Sequence, residues 1–496
     1  MFDFALPSLD AVVLAPTVIV ALTGLLTLAI ELFSPRRNNN AIVVTSIVGL
    51  LIALVTLGAG SFFGYGSAPL DTAAGALVRD PLGVALQAIL VIGTILVVLF
   101  SEPYLRERRV PFAEFYPLIL WSTTGGMLMV GTKHLLVLFL GLEILSIAIY
   151  VMAGMNRGEA RSGESALKYF LLGSFASAFL LYGIALVYGA TGSLSLEAIP
   201  VALIREAGLP HTLLLVGLGM MLVGLSFKSS LAPFHQWTPD VYQGAPTNVT
   251  AFMATGSKVA ALGALYRVLD VYSGAFAQWA PAVGLLAVLT MVVGNVAALA
   301  QRDVKRILGY SSVAQAGYVV VAIIAHAKRP ADVGPESMVF FLLSYVLTTI
   351  GALVVVGLGA RGEKEPTDLD DLRGLARRSP LAAGALAFFA LSLIGLPPLG
   401  GFFGKFYVLG DALRAEIPSL AIVLALTSAL SVVYYLRLAR APFVDAAGDN
   451  VGKVAPASRA TLVVCGVGVL AVAFLSVPLF KAVGLGADSP RVVTNR

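Results

Sequence analysis

The sequence predicts an all-α integral membrane protein of about fourteen transmembrane helices, and three observations carry that expectation. Of its 496 residues, 58% are hydrophobic and only 12% charged, where a soluble domain carries roughly 25% charged residues. Apolar runs of the length that crosses a bilayer, about 20 residues, recur along the whole chain. The basic residues fall singly or in short clusters between those runs. Lipid, not a soluble core, must solvate this much apolar surface.

The expected spans are 12–33, 41–63, 82–101, 113–131, 134–155, 164–190, 212–234, 247–269, 280–300, 304–325, 337–360, 380–410, 418–439 and 459–480. An even number places both termini on one side. The N-terminus MFDFALPSLD lacks a basic n-region, so the first run reads as a retained helix and not a cleaved signal. The segment 194–208, LSLEAIPVALIREAG, is shorter and amphipathic and reads as a helix lying along the membrane surface.

The loops set an orientation. Odd-numbered loops hold 19 basic residues: Arg36, Arg37, Arg106, Arg108, Arg109, Arg157, Arg161, Arg302, Lys305, Arg306, Arg361, Lys364, Arg373, Arg377, Arg378, Arg437, Arg440, Lys453 and Arg459. The even loops and tail hold 10: Arg79, Lys133, Arg205, Arg267, Lys328, Arg329, Arg414, Lys481, Arg491 and Arg496. By the positive-inside rule the odd loops are cytoplasmic and both termini face outward.

Several function classes drop out. The net charge of +5 is too scattered to form a nucleic-acid stripe. The single cysteine, Cys465, excludes an internal disulfide and a cysteine metal site. His134, His211, His235 and His326 show no ligand spacing, and no nucleotide-binding glycine motif is present.

Four basic residues remain outside the loop census: Lys168, Lys228, Lys258 and Lys405, all lysines inside apolar spans. Glu143 sits at the middle of the span LLVLFLGLEILSIAIYVMAG, whereas Glu31 and Glu164 lie near span ends. An ionised side chain at the bilayer centre costs at least about 2.5–3.5 kcal/mol, so these residues need a reason. Lys168, close to its helix start, can snorkel to the headgroups, and Glu143 can serve a purely structural ion pair. Lysine also suits proton relay. Burial disfavours its charged form, a neighbouring carboxylate restores it, and the balance permits exchange near neutral pH. Arginine holds its proton too tightly for this.

Two of the lysines adjoin helix interruptions. One is SFKSSLAPFHQWTPD, with Lys228, Pro233 and His235; the other is IGLPPLGGFFGKF, with Pro397, Pro398, Gly400, Gly401 and Lys405. Plain proline kinks would explain either alone. As a pair in matching positions they resemble the broken helices of transporters. The chain then divides into helices one to three (1–112), two five-helix repeats (113–269 and 270–440), and a last helix with its tail (441–496). Each repeat has its interrupted helix in fourth place, at spans seven and twelve. An odd helix count per repeat makes the two repeats inverted.

Four motifs in order, HQWTPDVYQGAPTNVTAFMATGSKVA (235–260), VKRILGYSSVAQAGY (304–318), DLRGLARRSP (371–380) and GLPPLGGFFGKFYVL (395–409), resemble the N subunit of bacterial respiratory complex I. This is the proton-pumping NADH–quinone oxidoreductase, and the mitochondrial subunit 2 and chloroplast NDH subunit 2 are counterparts. The resemblance runs from about residue 113 to 440. It lies within the antiporter-like subunits, which include the L and M types and the Mrp antiporters. WTPDVYQGAPT, FMATGSK without histidine, and Lys405 in place of glutamate favour the N type, as does an end after the last span without a lateral helix. Two departures, Asn248 for proline and Gln315 at a position that is histidine in some relatives, lie outside the charged set.

The resemblance implies that Glu143 pairs with Lys228, that Lys258 is the central channel lysine and that Lys405 ends the relay. It also implies that His235 connects these groups through water and that Lys168 matches a position of less defined role. It implies a subunit of a translocating oxidoreductase in the bacterial plasma membrane. NAD(H), FMN, iron–sulfur clusters and quinone would be handled by partner subunits and no cofactor by this chain. M-type and small K-type membrane subunits are expected neighbours. An Mrp-type cation/proton antiporter subunit and a membrane-bound hydrogenase pumping subunit are the alternatives, and a structural spacer is a third.

Overall fold

The chain is almost wholly helical because its apolar runs satisfy their own backbone hydrogen bonds, as a bilayer demands. A computed structural model describes residues 10–34, 40–62, 70–72, 75–108, 110, 112–205, 208–359, 365, 367–444 and 455–475. Of the basic residues in the orientation argument, Arg36, Arg37, Arg109, Arg361, Lys364, Lys453, Lys481, Arg491 and Arg496 lie outside the described residues.

The helices are α1 (Ala11–Phe33), α2 (Asn40–Phe62), α3 (Pro81–Arg108), α4 (Phe115–Val130), α5 (Leu135–Ala153), α6 (Ala160–Thr191) and α7 (Ala198–Arg205). Then come α8 (Leu209–Ser229), α9 (Trp237–Gly244), α10 (Thr247–Phe252), a π-turn (Met253–Ser257), α11 (Lys258–Val271), α12 (Phe276–Ala300) and α13 (Val304–Lys328). The chain continues with α14 (Glu336–Leu358), α15 (Leu375–Arg378), α16 (Pro380–Ile394), α17 (Gly400–Arg414), α18 (Pro418–Arg440) and α19 (Pro456–Phe474). Among the described residues, 11 helices are long and apolar enough to cross a membrane, and α4 and α16 are shorter apolar helices.

Local chemistry sets the boundaries. The Asp10 carboxylate accepts from the N–H groups of Val12 (2.7 Å) and Val13 (3.3 Å) and starts α1; Asp303 starts α13 through the N–H of Arg306 (2.9 Å). These are N-caps. Proline opens α16, α18 and α19, where its missing donor does no harm.

Both interruptions occur where the prolines predict them. After α8, Ser230 turns left-handed (φ 61°) and the chain runs through Pro233 before α9 resumes at Trp237. After α16, Gly395 takes φ 92°, a conformation that suits glycine, and Pro397 and Pro398 precede α17. The twelfth expected span, 380–410, is therefore two helices. The amphipathic segment 194–208 shortens to α7, which buries Ile199 and Ala202 and exposes Val201 and Ile204. One departure from an all-α chain is an antiparallel ribbon of β1 (Leu70–Thr72) and β2 (Leu77–Arg79), Leu70 opposite Arg79. Its three-residue strands are too short for a periodicity signal.

The helices α13 and α14 are buried almost throughout and form the centre, with α10 and α11 against them. At the periphery, α1, α2, α6, α12 and α18 present leucine, isoleucine, valine and phenylalanine outward. The pair α6–α8 packs closely because Gly183 and Gly217 face each other: a Cβ on Gly183 would lie 2.6 Å from the Gly217 carbonyl oxygen. Without a hydrophobic drive between helices in lipid, such backbone approach supplies dispersion contact.

Candidate functional site

Three of the four lysines are buried: Lys228, Lys258 and Lys405 are 2%, 1% and 7% exposed. Each is held differently, and the helix interruptions explain how.

Lys405 lies on the second turn of α17, opposite the end of α16. The last carbonyls of a helix have no intrahelical donor. Lys405 Nζ donates to two of them, Leu393 O (2.8 Å) and Ile394 O (2.9 Å), and to Ser428 Oγ (2.9 Å) on α18. The amine also lies 5.2 Å from the Tyr318 ring centroid. The broken helix is thus what makes a cation tolerable at this depth. Beside it is a cavity of 10 Å³ lined by Gln315, Ser344, Thr348 and Ser392 among others, about the room one water needs.

Lys258 follows the π-turn directly. A π-turn widens the backbone and is frequent at functional positions. Its Nζ donates to the backbone carbonyl of Ser312 on α13 (2.7 Å). The Ser312 hydroxyl accepts from Tyr345 on α14 (2.8 Å) and lies 3.4 Å from the Tyr242 hydroxyl.

Between these two amines runs a polar seam. Ser311, next to Ser312, shares a hydrogen bond with the Tyr435 hydroxyl. Gln315 donates to that same hydroxyl (3.0 Å) and reaches Leu393 O at 3.4 Å, the carbonyl that holds Lys405. Polar groups on α13, α18 and the end of α16 thus lie between Lys258 and Lys405, hydrogen-bonded from Ser311 onward, with the backbone linking Ser312 to Ser311. Sequence reading set Gln315 aside because it carries no charge. A polar residue one turn below Ser311 and Ser312 on a buried helix was the available signal.

Lys228, at the end of α8, donates to the Tyr169 hydroxyl (3.0 Å) and lies 4.9 Å and 5.5 Å from the Tyr169 and Tyr150 ring centroids. Tyr169 is fixed by stacking on Trp237 at 4.2 Å. Glu143 forms no ion pair with Lys228 among the described residues: Glu143 Oε1 is buried without a hydrogen-bond partner. Lys228 is held instead by the Tyr169 hydroxyl and by two aromatic rings. Glu143 is also flanked by the exposed Leu140, Ile144 and Ile147, so it sits near an outward face of α5. His235 lies in the first interruption, its ring 6.2 Å from that of Tyr310 and its Nδ1 buried without a partner.

Lys168 corrects the reading of four buried lysines. Its side chain is 42% exposed and pairs with Glu164 (2.6 Å) and Asp240 (3.1 Å), while Asp240 also binds Arg306 (2.6 Å). The 32 residues of α6 exceed the about 20 that a span needs, which leaves room for the turns that carry Lys168 to extend past the hydrocarbon. Two residues counted as loop charges require the opposite correction. Arg267 is buried in α11 and paired with Asp80 at 2.7 Å, and Lys305 is buried at the start of α13 and paired with Glu365 at 2.6 Å. The absence of arginine from the buried set therefore does not hold. Hydropathy runs show where a residue lies along a span, not how deep it sits in the protein.

Buried amines on interrupted helices, joined by hydroxyl and amide groups, define an antiporter-like, ion-handling membrane protein. The family described as NADH:quinone oxidoreductase/Mrp antiporter, TM, matches residues 132–431. NADH-quinone oxidoreductase subunit N of Trichlorobacter lovleyi is 41% identical, over 86% of this chain and 86% of its own. That of Chloroflexus aggregans is 39% identical, over 97% and 98%. A chain of respiratory complex I from Thermus thermophilus with bound aureothin is 37% identical, with TM-score 0.80 over 95% of this chain and 99% of that one. A chain of the Mrp complex from Dietzia has the same fold at TM-score 0.81 and 21% identity, covering 95% and 96%. The chain belongs to the family of antiporter-like membrane subunits of NADH-quinone oxidoreductase, on its subunit N branch.

Proposed function

We propose that this chain relays protons within NADH-quinone oxidoreductase, with Lys258 and Lys405 as the proton-carrying groups. The single observation that supports this most is the seam from Lys258 through Ser312, Ser311, Tyr435 and Gln315 to the Leu393 carbonyl and Lys405. Lysine amines can release and retake a proton, and hydroxyl and amide groups with interposed water pass it on. The buried, unpartnered hydroxyls of Ser226, Ser229 and Ser257 and Nδ1 of His235 are the natural places for water to join Lys228 to Lys258. Displacing the Glu143 charge would alter how firmly Lys228 holds its proton and so start transfer.

The helices form fourteen crossings in two inverted repeats, 113–269 and 270–440, preceded by 1–112 and followed by 441–496. Both termini face outward from the bacterial plasma membrane, with the odd loops cytoplasmic. Glu143, unpaired beside an apolar outward face, is sheltered by a neighbouring membrane subunit, in keeping with M-type and K-type neighbours. NAD(H), FMN, iron–sulfur clusters and quinone belong to other subunits. Lys168, solvent-paired at the rim, stands outside the relay.

The test is proton pumping by the assembled complex in proteoliposomes. Lys258→Met is expected to lower coupled turnover at least about a hundredfold, the low side of what a positioned proton donor contributes, whereas Lys168→Met stays near wild type. A full proton-to-electron ratio in Lys258→Met would sink the relay. Tyr435→Phe removes the hydroxyl shared by Ser311 and Gln315. It is expected to cost only about 1 kcal/mol in stability while lowering that ratio, as read by thermal unfolding and acidification side by side.

A further inference from the structure

A second ionisable centre lies apart from the seam, at the end of the bundle that carries most of the basic loop residues. There a cavity of 460 Å³ is floored by Tyr104, Lys305 and Glu365 and walled by Arg108, Glu159 and Arg161. Glu365 is deeply held for a loop residue. Tyr104 donates its hydroxyl proton to Glu365 Oε1, the Thr247 N–H donates to the same oxygen (3.2 Å), and the Thr247 hydroxyl donates to Oε2 (2.8 Å). Lys305 Nζ donates to Oε2 (2.6 Å) and to the carbonyl of Ala245 (2.8 Å). Glu365 and Lys305 are thus an acid and an amine in contact, held by protein on one side and lining a polar cavity on the other.

The inner side of this pair points along the relay. Lys305 and Ser312 are seven residues apart on α13, two turns or about 10 Å on one face, and Ser312 O is the acceptor of Lys258 Nζ. The Tyr242 hydroxyl lies against Ser312, and its ring packs over Gly309, where a Cβ would stand 3.5 Å from Tyr242 Cδ2. Thr247 opens the helix that leads through the π-turn to Lys258. Both α10 and α13 thus connect the cavity floor to the central amine.

We infer that Glu365 and Lys305 form the proton-loading site at the cytoplasmic mouth, taking protons from cavity water and passing them inward to Lys258; this rests on the relay reading above. The proton count balances. The pair holds one labile proton, as carboxylate with ammonium or as acid with amine. Uptake of a second from cavity water gives acid with ammonium. Release of one inward, through water to Lys258 as free amine, restores the start.

Burial pushes the Glu365 carboxyl up to about 7, against the Thr247 N–H, which favours its ionised form. Asp303, Arg108, Arg161 and Glu159 bear on the partner amine, and Asp371 lies at the cavity wall. Below that value the site is loaded, so loading declines as pH rises through it.

The experiment uses the complete complex in proteoliposomes with the cytoplasmic face outward, titrating external pH and reading the proton-to-electron ratio and turnover. Glu365→Gln keeps an amide oxygen for Tyr104 and the Thr247 N–H, turns its NH2 group toward Lys305, and cannot titrate. It is expected to lower coupled turnover at least about threefold and to flatten the inflection near neutrality. Glu365→Asp restores the inflection. Thr247→Val removes the Oγ1 donor and moves the inflection to higher pH, which a purely structural contact would not do. Wild-type ratio and inflection in Glu365→Gln, or an unmoved inflection in Thr247→Val, would overturn the site. If Glu365→Gln does not assemble, Thr247→Val alone decides. Lys258→Met run alongside separates the two failures: a reduced ratio there with normal Glu365→Gln removes only the loading site, and a full ratio there removes the relay itself.

Discussion

Replacing Arg267 with alanine is expected to destabilise the chain by about 3–5 kcal/mol, the range for breaking a buried ion pair from one side. Arg267 grips Asp80 with both guanidinium nitrogens, Nη1 to Oδ2 at 2.8 Å and Nη2 to Oδ1 at 2.7 Å, and donates Nε to Val130 O at 2.7 Å. This one side chain ties α11 to the start of α3 and the end of α4. Without it, Asp80 keeps only the Gly83 N–H (2.6 Å) and stays buried as an unpaired anion. Asp80→Asn with Arg267→Met removes both charges and should recover much of the loss; the double-mutant cycle isolates the pair. Burial alone would raise the Asp80 carboxyl, but the charge and hydrogen bonds of Arg267 outweigh it and hold it below the usual carboxylate range. A carboxyl lowered by folding stabilises above its unfolded value of about 3.9 and loses that contribution as pH falls through the folded one. Acid should therefore weaken wild type more than the double variant. Thermal unfolding of the purified complex, with retention of this subunit as the readout, checks both points.

Gly401→Ala is expected to cost about 3 kcal/mol or more, the upper end for overpacking, and to disable Lys405. A Cβ there would lie 1.9 Å from the Ser392 carbonyl oxygen and 2.8 Å from its carbon. Both are backbone atoms of α16, so no side-chain rotation relieves the clash. The start of α17 must move away, and Lys405, one turn on, then loses reach of Leu393 O and Ile394 O. The control is Gly410→Ala on the same helix, where the nearest atom is the tip of Arg414 at 3.8 Å. Alanine there improves helix propensity by up to about 1 kcal/mol and should leave pumping unchanged. Equal stability and pumping for the two variants would show that the α16–α17 contact does not position the amine.

Much of the fold was legible because a bilayer imposes long apolar runs and leaves proline little freedom. Pro233, Pro397 and Pro398 marked both interruptions, and the apolar runs placed Lys228, Lys258 and Lys405 within spans, where all three are buried. Partners were harder to read. Lys305 looked like a loop charge because it opens its helix, yet Glu365, sixty residues later, closes over it. Arg267 looked like a loop charge because it lies at the end of its span, about a turn from the end of α11, while Asp80 meets it from a distant segment. Gln315 and Tyr435 carry no charge, so only their approach in space reveals them. Long-range pairing leaves no periodicity in one sequence, and neutral hydrogen-bonding groups leave no compositional mark.

A map of the assembled complex sharp enough to place waters around α13 tests the central claim most directly. Ordered water is predicted beside Gln315 and Lys405, with Tyr435 bridging Ser311 and Gln315 and the Lys258 amine on the Ser312 carbonyl. Dry apolar packing along that face of α13, with the two amines turned to unrelated partners, would contradict it.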